Sequence, residues 1–161
     1  MPRVSKAHER TLPEKSLVID NGGSTLKAGF AVPQASIDHC HVVPNCVARD
    51  RAKRIWIGPH LDKCHDFGEL AIRRPVEKGF IVSWEAEKAV WDAIFLDQGA
   101  ILQACQSCIK RCFANNDKCD PHETNLLLAE APNIPSVLQN NCDQIVFEEY
   151  EFASYSRFNG L

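Results

Sequence analysis

The clearest hydrophobic pattern lies near the beginning of the chain, over residues 16–31. An apolar run at 17–19 ends at Asp20, a turn of small residues follows, and a second run of apolar and small residues comes after it. Two short strand-like runs separated by a glycine-containing turn are typical of a β-hairpin. The sequence therefore predicts a hairpin over 16–31, and it predicts further strands near 37–43 and at 54–58.

Residues 84–96 carry apolar side chains three or four positions apart, which predicts a helix with one face toward a core. Ser83 is the predicted N-cap, and Glu85 and Glu87 follow in the first turn, where negative charge suits the helix dipole. The two tryptophans of this helix are expected to be packing anchors rather than ligand-stacking surfaces.

A second helix is predicted at 136–150, with Ser136 as its N-cap. Its predicted buried side consists of Val137, Leu138, Ile145 and Val146. Before it, residues 125–129 should form a buried strand, since four of the five are apolar. Two prolines mark the loop between this strand and the helix.

The turn of the predicted hairpin has the residue types of a phosphate-binding loop. Small residues let backbone N–H groups point at phosphate oxygens, and glycine permits the positive φ angles that such a nest requires. Asp20 would hold a hydrated Mg²⁺ at the strand end, and Lys27 would supply a positive charge to the phosphates. The candidate nucleotide-phosphate residues are Asp20, Asn21, Gly22, Gly23, Ser24, Thr25 and Lys27. An ordinary hairpin turn has the same residue types, so the turn alone leaves both interpretations open.

Two later segments carry a family resemblance together with this hairpin. One reads Arg-Pro-Val-Glu-Lys-Gly-Phe-Ile-Val-Ser-Trp over 74–84, and the other reads Leu-Leu-Leu-Ala-Glu-Ala-Pro-Asn over 126–133. With the hairpin, they resemble three segments of the actin family in the same order. The resemblance implies an α/β fold of the actin-like, ribonuclease-H-like ATPase type. We expect a mixed, strongly twisted sheet with flanking helices, with only the first lobe of that fold present.

The resemblance also implies how the chain is organised. Residues 1–15 are expected to be a disordered leader and 16–161 a partial actin-like domain, within which 32–75 form a smaller, more variable extension. The cysteine-rich stretch 98–118 has no counterpart in the family pattern and is interpreted as an insertion or a gene-model artefact. Because such a fragment would expose apolar surface that the rest of the fold covers, we expect the isolated chain to be marginally stable or aggregation-prone.

Three further runs look most like the nuclear actin-related protein 6 class within this family. They are residues 43–46, the pair Trp91 and Asp92, and residues 147–152. The resemblance implies a non-catalytic subunit of a nuclear chromatin-remodelling complex of the SWR type, which exchanges an ordinary nucleosomal histone for its variant. The implied partners are the remodelling motor scaffold and other subunits of the complex, with histones contacted indirectly. The implied location is the nucleus, and also the cytoplasm, with no direct sequence-specific DNA binding and no membrane contact.

Two alternatives stay open. The chain could be an ATP-binding member, with ATPase activity, of the wider superfamily of actins, heat-shock chaperones and sugar kinases, or it could be a cytoskeletal actin-like protein. In conventional actin the turn reads Asp-Asn-Gly-Ser-Gly. Here Gly23 stands where a serine hydroxyl contacts the γ-phosphate, and Ser24 replaces a glycine. Since the family's second phosphate loop is also absent from this sequence, we expect weak binding of ATP and Mg²⁺ at most, without turnover.

Composition changes this picture little. The 161 residues are 45% hydrophobic and 24% charged, with a formal net charge of −3, which is close to ordinary globular usage. That charge is too small to predict nucleic-acid binding through the electrostatic field of the whole protein. No run of about 18 apolar residues is present to span a bilayer.

The eight cysteines are expected to be thiols, since no secretory signal precedes them. Cys105, Cys108, Cys112 and Cys119, with His122, have the ligand types of a zinc site. Cys105, Cys108 and Cys112 fall at positions i, i+3 and i+7, which fits an apolar stripe on one helix face better, so no metal site is predicted.

No catalytic constellation is predicted either. His39 and His41 would share one strand face without a further ligand, and adjacent residues such as those at 64–66, Cys-His-Asp, rarely point together as nucleophile, base and orienting group. The charged run at 49–54 is predicted to be a solvated loop, with a contact to a partner or to DNA phosphate as the alternative.

Overall fold

The computed structural model describes residues 15–31, 40–96 and 119–160, and its largest unit is a five-stranded mixed sheet. Within these residues the strands are β1 (Lys15–Asn21), β2 (Thr25–Phe30), β3 (His41–Pro44), β4 (Val47–Arg49), β5 (Ile55–Ile57), β6 (Ala71–Arg73), β7 (Val76–Glu77), β8 (Phe80–Ile81), β9 (Thr124–Glu130) and β10 (Ser154–Asn159). The described α-helices are α1 (Trp84–Phe95) and α2 (Ser136–Gln144), and α2 continues into a π-helical turn at Ile145–Glu149. Short 3₁₀ helices lie at Gly58–Lys63 and Pro121–Glu123.

The main sheet has the strand order β10-β9-β1-β2-β3. Strands β1 and β2 form the predicted hairpin, in which Asp20 lies opposite Lys27. On its other side β1 runs parallel to β9, and β9 runs parallel to β10. The combination of a hairpin with parallel crossover strands and helices confirms the α/β class. The carboxyl ends of the three parallel strands therefore meet at the edge of the sheet where the hairpin turn lies.

One face of the main sheet forms the core. On β1, Leu17 and Ile19 are fully buried while Val18 between them is only partly buried, as the alternation of side chains along a strand requires. Strands β2 and β9 contribute Leu26, Leu126 and Leu128 to the same cluster. Each such side chain stabilises the fold by about 1.5–3 kcal/mol when it is fully buried.

Helix α1 closes this core with aromatic side chains. The ring of Trp91 is fully buried, and its centroid lies 5.7 Å from that of Trp84, 5.6 Å from that of Phe95 and 5.6 Å from that of Tyr150. Aromatic pairs at this separation add about 0.5–1.5 kcal/mol each beyond the area that they bury. The expected packing role of the two tryptophans is confirmed.

A smaller three-stranded sheet, ordered β5-β4-β6, lies within residues 47–73 and has its own apolar cluster around Cys46, Ala48 and Leu61. The hairpin β7–β8 follows it and turns at Lys78 and Gly79, both with positive φ. A Cβ atom at Gly79 would lie 2.8 Å from the Cβ of Ala131, so glycine allows this turn to pack against the loop after β9.

Several boundaries differ from those expected. Strand β3 begins at His41 and extends to Pro44, and residues 37–39 of the predicted strand lie outside the described residues. The predicted helix 84–96 ends at Phe95, with Leu96 as its C-cap. Ser83 occupies the predicted N-cap position, although its side chain makes no capping hydrogen bond.

The prediction for α2 was wrong in two respects. The N-cap is Pro135 and not Ser136, and Val137 is 67% exposed rather than buried. The buried side of this element runs through Cys142 and Val146, four residues apart. Val137 lies five residues before Cys142, and that spacing turns it away from the buried face.

The proposed leader and the proposed cysteine-rich insertion lie almost wholly outside the described residues, so both stay predictions. In the part of the chain that the structure describes, no helix has the length and apolar character needed to cross a membrane.

Candidate phosphate-binding site

The hairpin turn between β1 and β2 consists of Gly22, Gly23 and Ser24, with charged residues on both sides. Lys27 Nζ lies 2.6 Å from Asp20 Oδ2. Both side chains are about half exposed, and the hydrogen bond and charge of Asp20 raise the pKa of Lys27. The two charges that were predicted to serve Mg²⁺ and phosphate therefore contact each other.

The backbone of the turn differs from the predicted nest. The described glycines with positive φ are Gly58 and Gly79, so the expectation of positive φ in this turn was wrong. Gly22 is required for another reason, because a Cβ atom there would lie 2.7 Å from the carbonyl oxygen of Thr25. The close approach of two backbone segments, and not a left-handed conformation, accounts for glycine at this position.

The carbonyl groups of the turn are held by side chains from two distant segments. Asn45 Nδ2 donates to the Gly22 oxygen at 3.0 Å, and the Asn45 backbone N–H donates to the Ser24 oxygen at 3.0 Å. Arg74 Nη1 lies 3.3 Å from both the Gly23 and the Ser24 carbonyl oxygens, and 3.2 Å from Ser24 Oγ. Asn45 is fully buried and Arg74 is exposed, so the turn is held from the inside and from the outside.

A buried carboxylate lies beneath the turn. Glu87, in the first turn of α1, is fully buried, and its two oxygens lie 3.4 and 3.3 Å from Asn45 Nδ2. Burial raises the pKa of Glu87 to about 7, and hydrogen bonding led by Asn45 opposes part of that increase. Beside it, Trp91 Nε1 donates to Asn21 Oδ1 at 3.3 Å. Asn21 thus belongs to the support of the turn rather than to its exposed surface.

Asn45, Arg74 and Glu87 belong to this site, and none of them was among its predicted residues. A signal for Glu87 was present, since it lies three, four and seven residues before the buried residues Val90, Trp91 and Ile94. That spacing places a glutamate on the buried face of a helix, where a carboxylate needs partners. No local pattern could have found Arg74, whose partners on the turn lie about 50 positions earlier in the chain.

Within residues 15–31, 40–96 and 119–160, the remaining candidate motifs form no second site of recognisable chemistry. Among the described residues, no group of three or more His, Cys, Asp or Glu side chains is placed to hold a metal ion. Cys119 and His122 are described, whereas Cys105, Cys108 and Cys112 lie outside the described residues, as does His39.

Residues 50–52 and 54 of the charged run line one cleft beside Trp56, together with the Cys-His-Asp run at 64–66. Two ion pairs lie within it: Arg54 contacts Asp50 at 2.7 Å, and Arg51 contacts Glu69 at 2.7 Å. Arg49 is the last residue of β4 and was wrongly predicted to lie in a loop, whereas the two ion pairs support the interpretation of residues 50–54 as a solvated loop.

Comparison with known proteins finds a matching family model and several curated relatives. The family model for actin matches residues 11–160. Curated relatives include actin-related protein 6 of Neurospora crassa, 50% identical over 96% of this chain and 31% of that protein. Actin-like protein arp6 of Aspergillus fumigatus is 42% identical over 98% of this chain and 33% of that protein. Actin-related protein 6 of Dictyostelium discoideum is 37% identical over 95% of this chain and 27% of that protein. The chain thus spans about a third of the length of the curated relatives it matches.

Proposed function

The chain belongs to the actin family, and from this premise we propose that it serves as a non-catalytic actin-related subunit of a nuclear chromatin-remodelling complex of the SWR type. Such a complex exchanges an ordinary nucleosomal histone for its variant. The protein would act by binding the remodelling motor scaffold and other subunits, and would contact histones only indirectly. The similarity to proteins named actin-related protein 6 supports this proposal.

The contacts around the turn carry the non-catalytic part of the proposal. Phosphoryl transfer needs charged groups and backbone donors that are free to stabilise the negative charge that develops on the phosphate. Here Lys27 contacts Asp20, and Arg74 donates to the turn itself. A phosphate entering the turn would have to replace these contacts, so the arrangement favours a structural role over turnover.

A second candidate function is that of an ATP-binding protein with ATPase activity, which would require binding of ATP with Mg²⁺. The observation in its favour is that Asp20, Ser24 and Lys27 are all exposed at the same edge of the sheet, with Arg74 close by. Asp20 would hold the hydrated Mg²⁺, while Lys27 and Arg74 would approach phosphate oxygens. A cytoskeletal role is the third alternative, and polymer sedimentation would test it.

The first experiment is purification of the tagged protein from nuclei of its native cells, followed by mass spectrometry of what co-purifies. Conventional actin with the same tag, purified in parallel, serves as the matched control. We expect a remodelling ATPase and its histone-exchange subunits to be enriched over that control. Recovery of the protein alone, or with chaperones only, would contradict the proposal.

The second experiment separates the non-catalytic proposal from the ATPase alternative. Binding of Mg-ATP and release of phosphate are measured for the chain and for Asp20→Ala, which removes the predicted Mg²⁺ contact. We expect weak binding that the substitution abolishes, with no phosphate release above buffer. Sustained phosphate release that depends on Asp20 would favour the ATPase alternative and overturn the non-catalytic assignment.

A further inference from the structure

The Asn45 side chain lies between two groups that accept hydrogen bonds. Its Nδ2 atom lies 3.0 Å from the Gly22 carbonyl oxygen on one side and 3.3 Å from Glu87 Oε2 on the other. An amide NH₂ group has two hydrogens, one for each acceptor, whereas the amide oxygen would meet a lone pair on either side. The Glu87 carboxylate therefore favours the same orientation of the Asn45 amide as the Gly22 carbonyl does.

This contact links helix α1 to the turn through one residue. Asn45 binds the turn twice, through its side chain at Gly22 and through its backbone N–H at Ser24, which lies 3.0 Å away. Glu87 hydrogen-bonds to the Asn45 amide and acts on the turn through it. All three of Asn45, Glu87 and the neighbouring Trp91 are fully buried, so water cannot readily replace these contacts.

Stability alone gives no reason for a carboxylate at this position. A carboxylate removed from water loses its solvation, and replacing buried charged groups by apolar side chains of similar size is often neutral or stabilising. A methionine would fill the same volume on the buried face of α1, beside Val90 and Ile94. The benefit of Glu87 must therefore lie in what it orients.

We propose that Glu87 is a positioning residue for the hairpin turn: its carboxylate fixes the Asn45 amide, and the amide in turn fixes the Gly22 carbonyl and the path of residues 22–24. The turn is the part of the chain with the residue types for binding phosphate. Helix α1 then fixes the conformation of the turn from its buried side, in addition to the hydrogen bonds between the two strands of the hairpin. The proposal concerns the turn alone, and it holds or fails independently of the nuclear complex.

Hydrogen exchange of the full 161-residue chain, at about pH 8 where the Glu87 carboxyl group is ionised, tests the proposal with three variants. Glu87→Met keeps the volume but cannot accept a hydrogen bond, Glu87→Gln keeps an acceptor oxygen without the charge, and Asn45→Ala removes the linking amide. The reporter is a peptide that contains the backbone N–H of residue 45, which donates to the Ser24 carbonyl oxygen of the turn. A peptide from β10 is the internal control. Urea unfolding of each variant gives its global stability.

We expect Glu87→Met and Asn45→Ala to speed exchange at the reporter by about tenfold or more, because each substitution removes a buried hydrogen bond to a charged group. Exchange in β10 should not change, and Glu87→Gln should restore most of the protection at the reporter. Glu87→Met should unfold at an equal or higher urea concentration than the original chain, so that the turn loosens while the fold does not weaken. A double variant that combines Glu87→Met with Asn45→Ala should be no looser than either single variant, because both substitutions act through one contact.

Two results would overturn the proposal. One is unchanged exchange at the reporter in Glu87→Met. The other is faster exchange at the reporter and in β10 together with lower global stability, which is the result expected of a side chain that only fills the core.

Discussion

Replacement of Glu87 by glutamine should remove a specific part of the pH dependence of stability. The carboxyl group is fully buried near Asn45, Trp91 and Tyr150, and burial raises its pKa from the ordinary 4.5 to about 7. In the unfolded chain the group regains its ordinary pKa. At a pH between the ordinary pKa of 4.5 and the raised pKa of about 7, the folded protein therefore holds a proton that the unfolded chain has released.

The sign and the size of the effect follow from this difference. Below about pH 4.5 both states are protonated, and the group contributes no pH dependence. As the pH rises to about 7, the unfolded state releases its proton more readily, so stability falls, and above that pH the loss is complete. At about 1.36 kcal/mol per pKa unit, the separation corresponds to a loss of about 3 kcal/mol.

Urea unfolding followed by tryptophan fluorescence, at intervals between about pH 4.5 and pH 8.5, measures this loss. The quantity to compare is the free energy of unfolding of Glu87→Gln minus that of the original chain, because other ionisable groups cancel in the difference. We expect the difference to rise by about 3 kcal/mol up to about pH 7 and then to stay constant.

Glu85→Gln is the matched control, since Glu85 lies in the same helical turn with a side chain that is 87% exposed. Its difference from the original chain should change by no more than a few tenths of a kcal/mol over the same range. A flat difference for Glu87→Gln would refute the conclusion that a buried, titrating carboxylate lies beneath the turn.

Trp91→Ala should lower the free energy of unfolding by about 3–5 kcal/mol, because a fully buried ring is lost from an aromatic cluster. Urea unfolding measures this loss, and a loss of less than about 1 kcal/mol would contradict the described core. Asp20→Asn should change the free energy of unfolding by less than about 1 kcal/mol, since its ion pair with Lys27 is exposed, and a larger loss in a thermal melt would show that the pair supports the hairpin. At about pH 8, iodoacetamide should modify the exposed Cys40 much faster than the buried Cys142, because burial raises the pKa of the Cys142 thiol to about 11. Peptide mass spectrometry measures both rates, and equal rates would mean that Cys142 is accessible.

The hairpin, α1 and β9 were predictable because their signals are local. The buried positions of α1 recur every three or four residues, and β9 is a nearly continuous apolar run, which suits a strand with neighbours on both sides. The exposed face of α2 was less predictable. Val137 is apolar and stands near the start of a helix, but its exposure depends on which face meets the sheet, and that is decided by distant residues.

The same limit applies to the candidate site. The residue types of the turn could be recognised from the sequence, and Asp20 and Lys27 lie opposite each other on the hairpin that the sequence predicts. The contacts that hold the turn come from distant segments: Asn45 lies 23 positions from Gly22, and Arg74 lies 51 positions from Gly23. Glu87 was interpreted as a favourable charge near a helix N-terminus, and burial by the rest of the fold gives it a different role.

The most direct test of the proposed function is the variant-histone content of chromatin after the protein is depleted from its native cells. Chromatin is isolated, and the ratio of variant to ordinary histone is measured by quantitative mass spectrometry, with depletion of an unrelated nuclear protein as the control. We predict that the ratio falls and is restored by re-expression, including re-expression of an Asp20→Ala form that lacks the predicted Mg²⁺ contact. An unchanged ratio would contradict the assignment to histone exchange, and restoration by the original protein but not by Asp20→Ala would contradict the non-catalytic role.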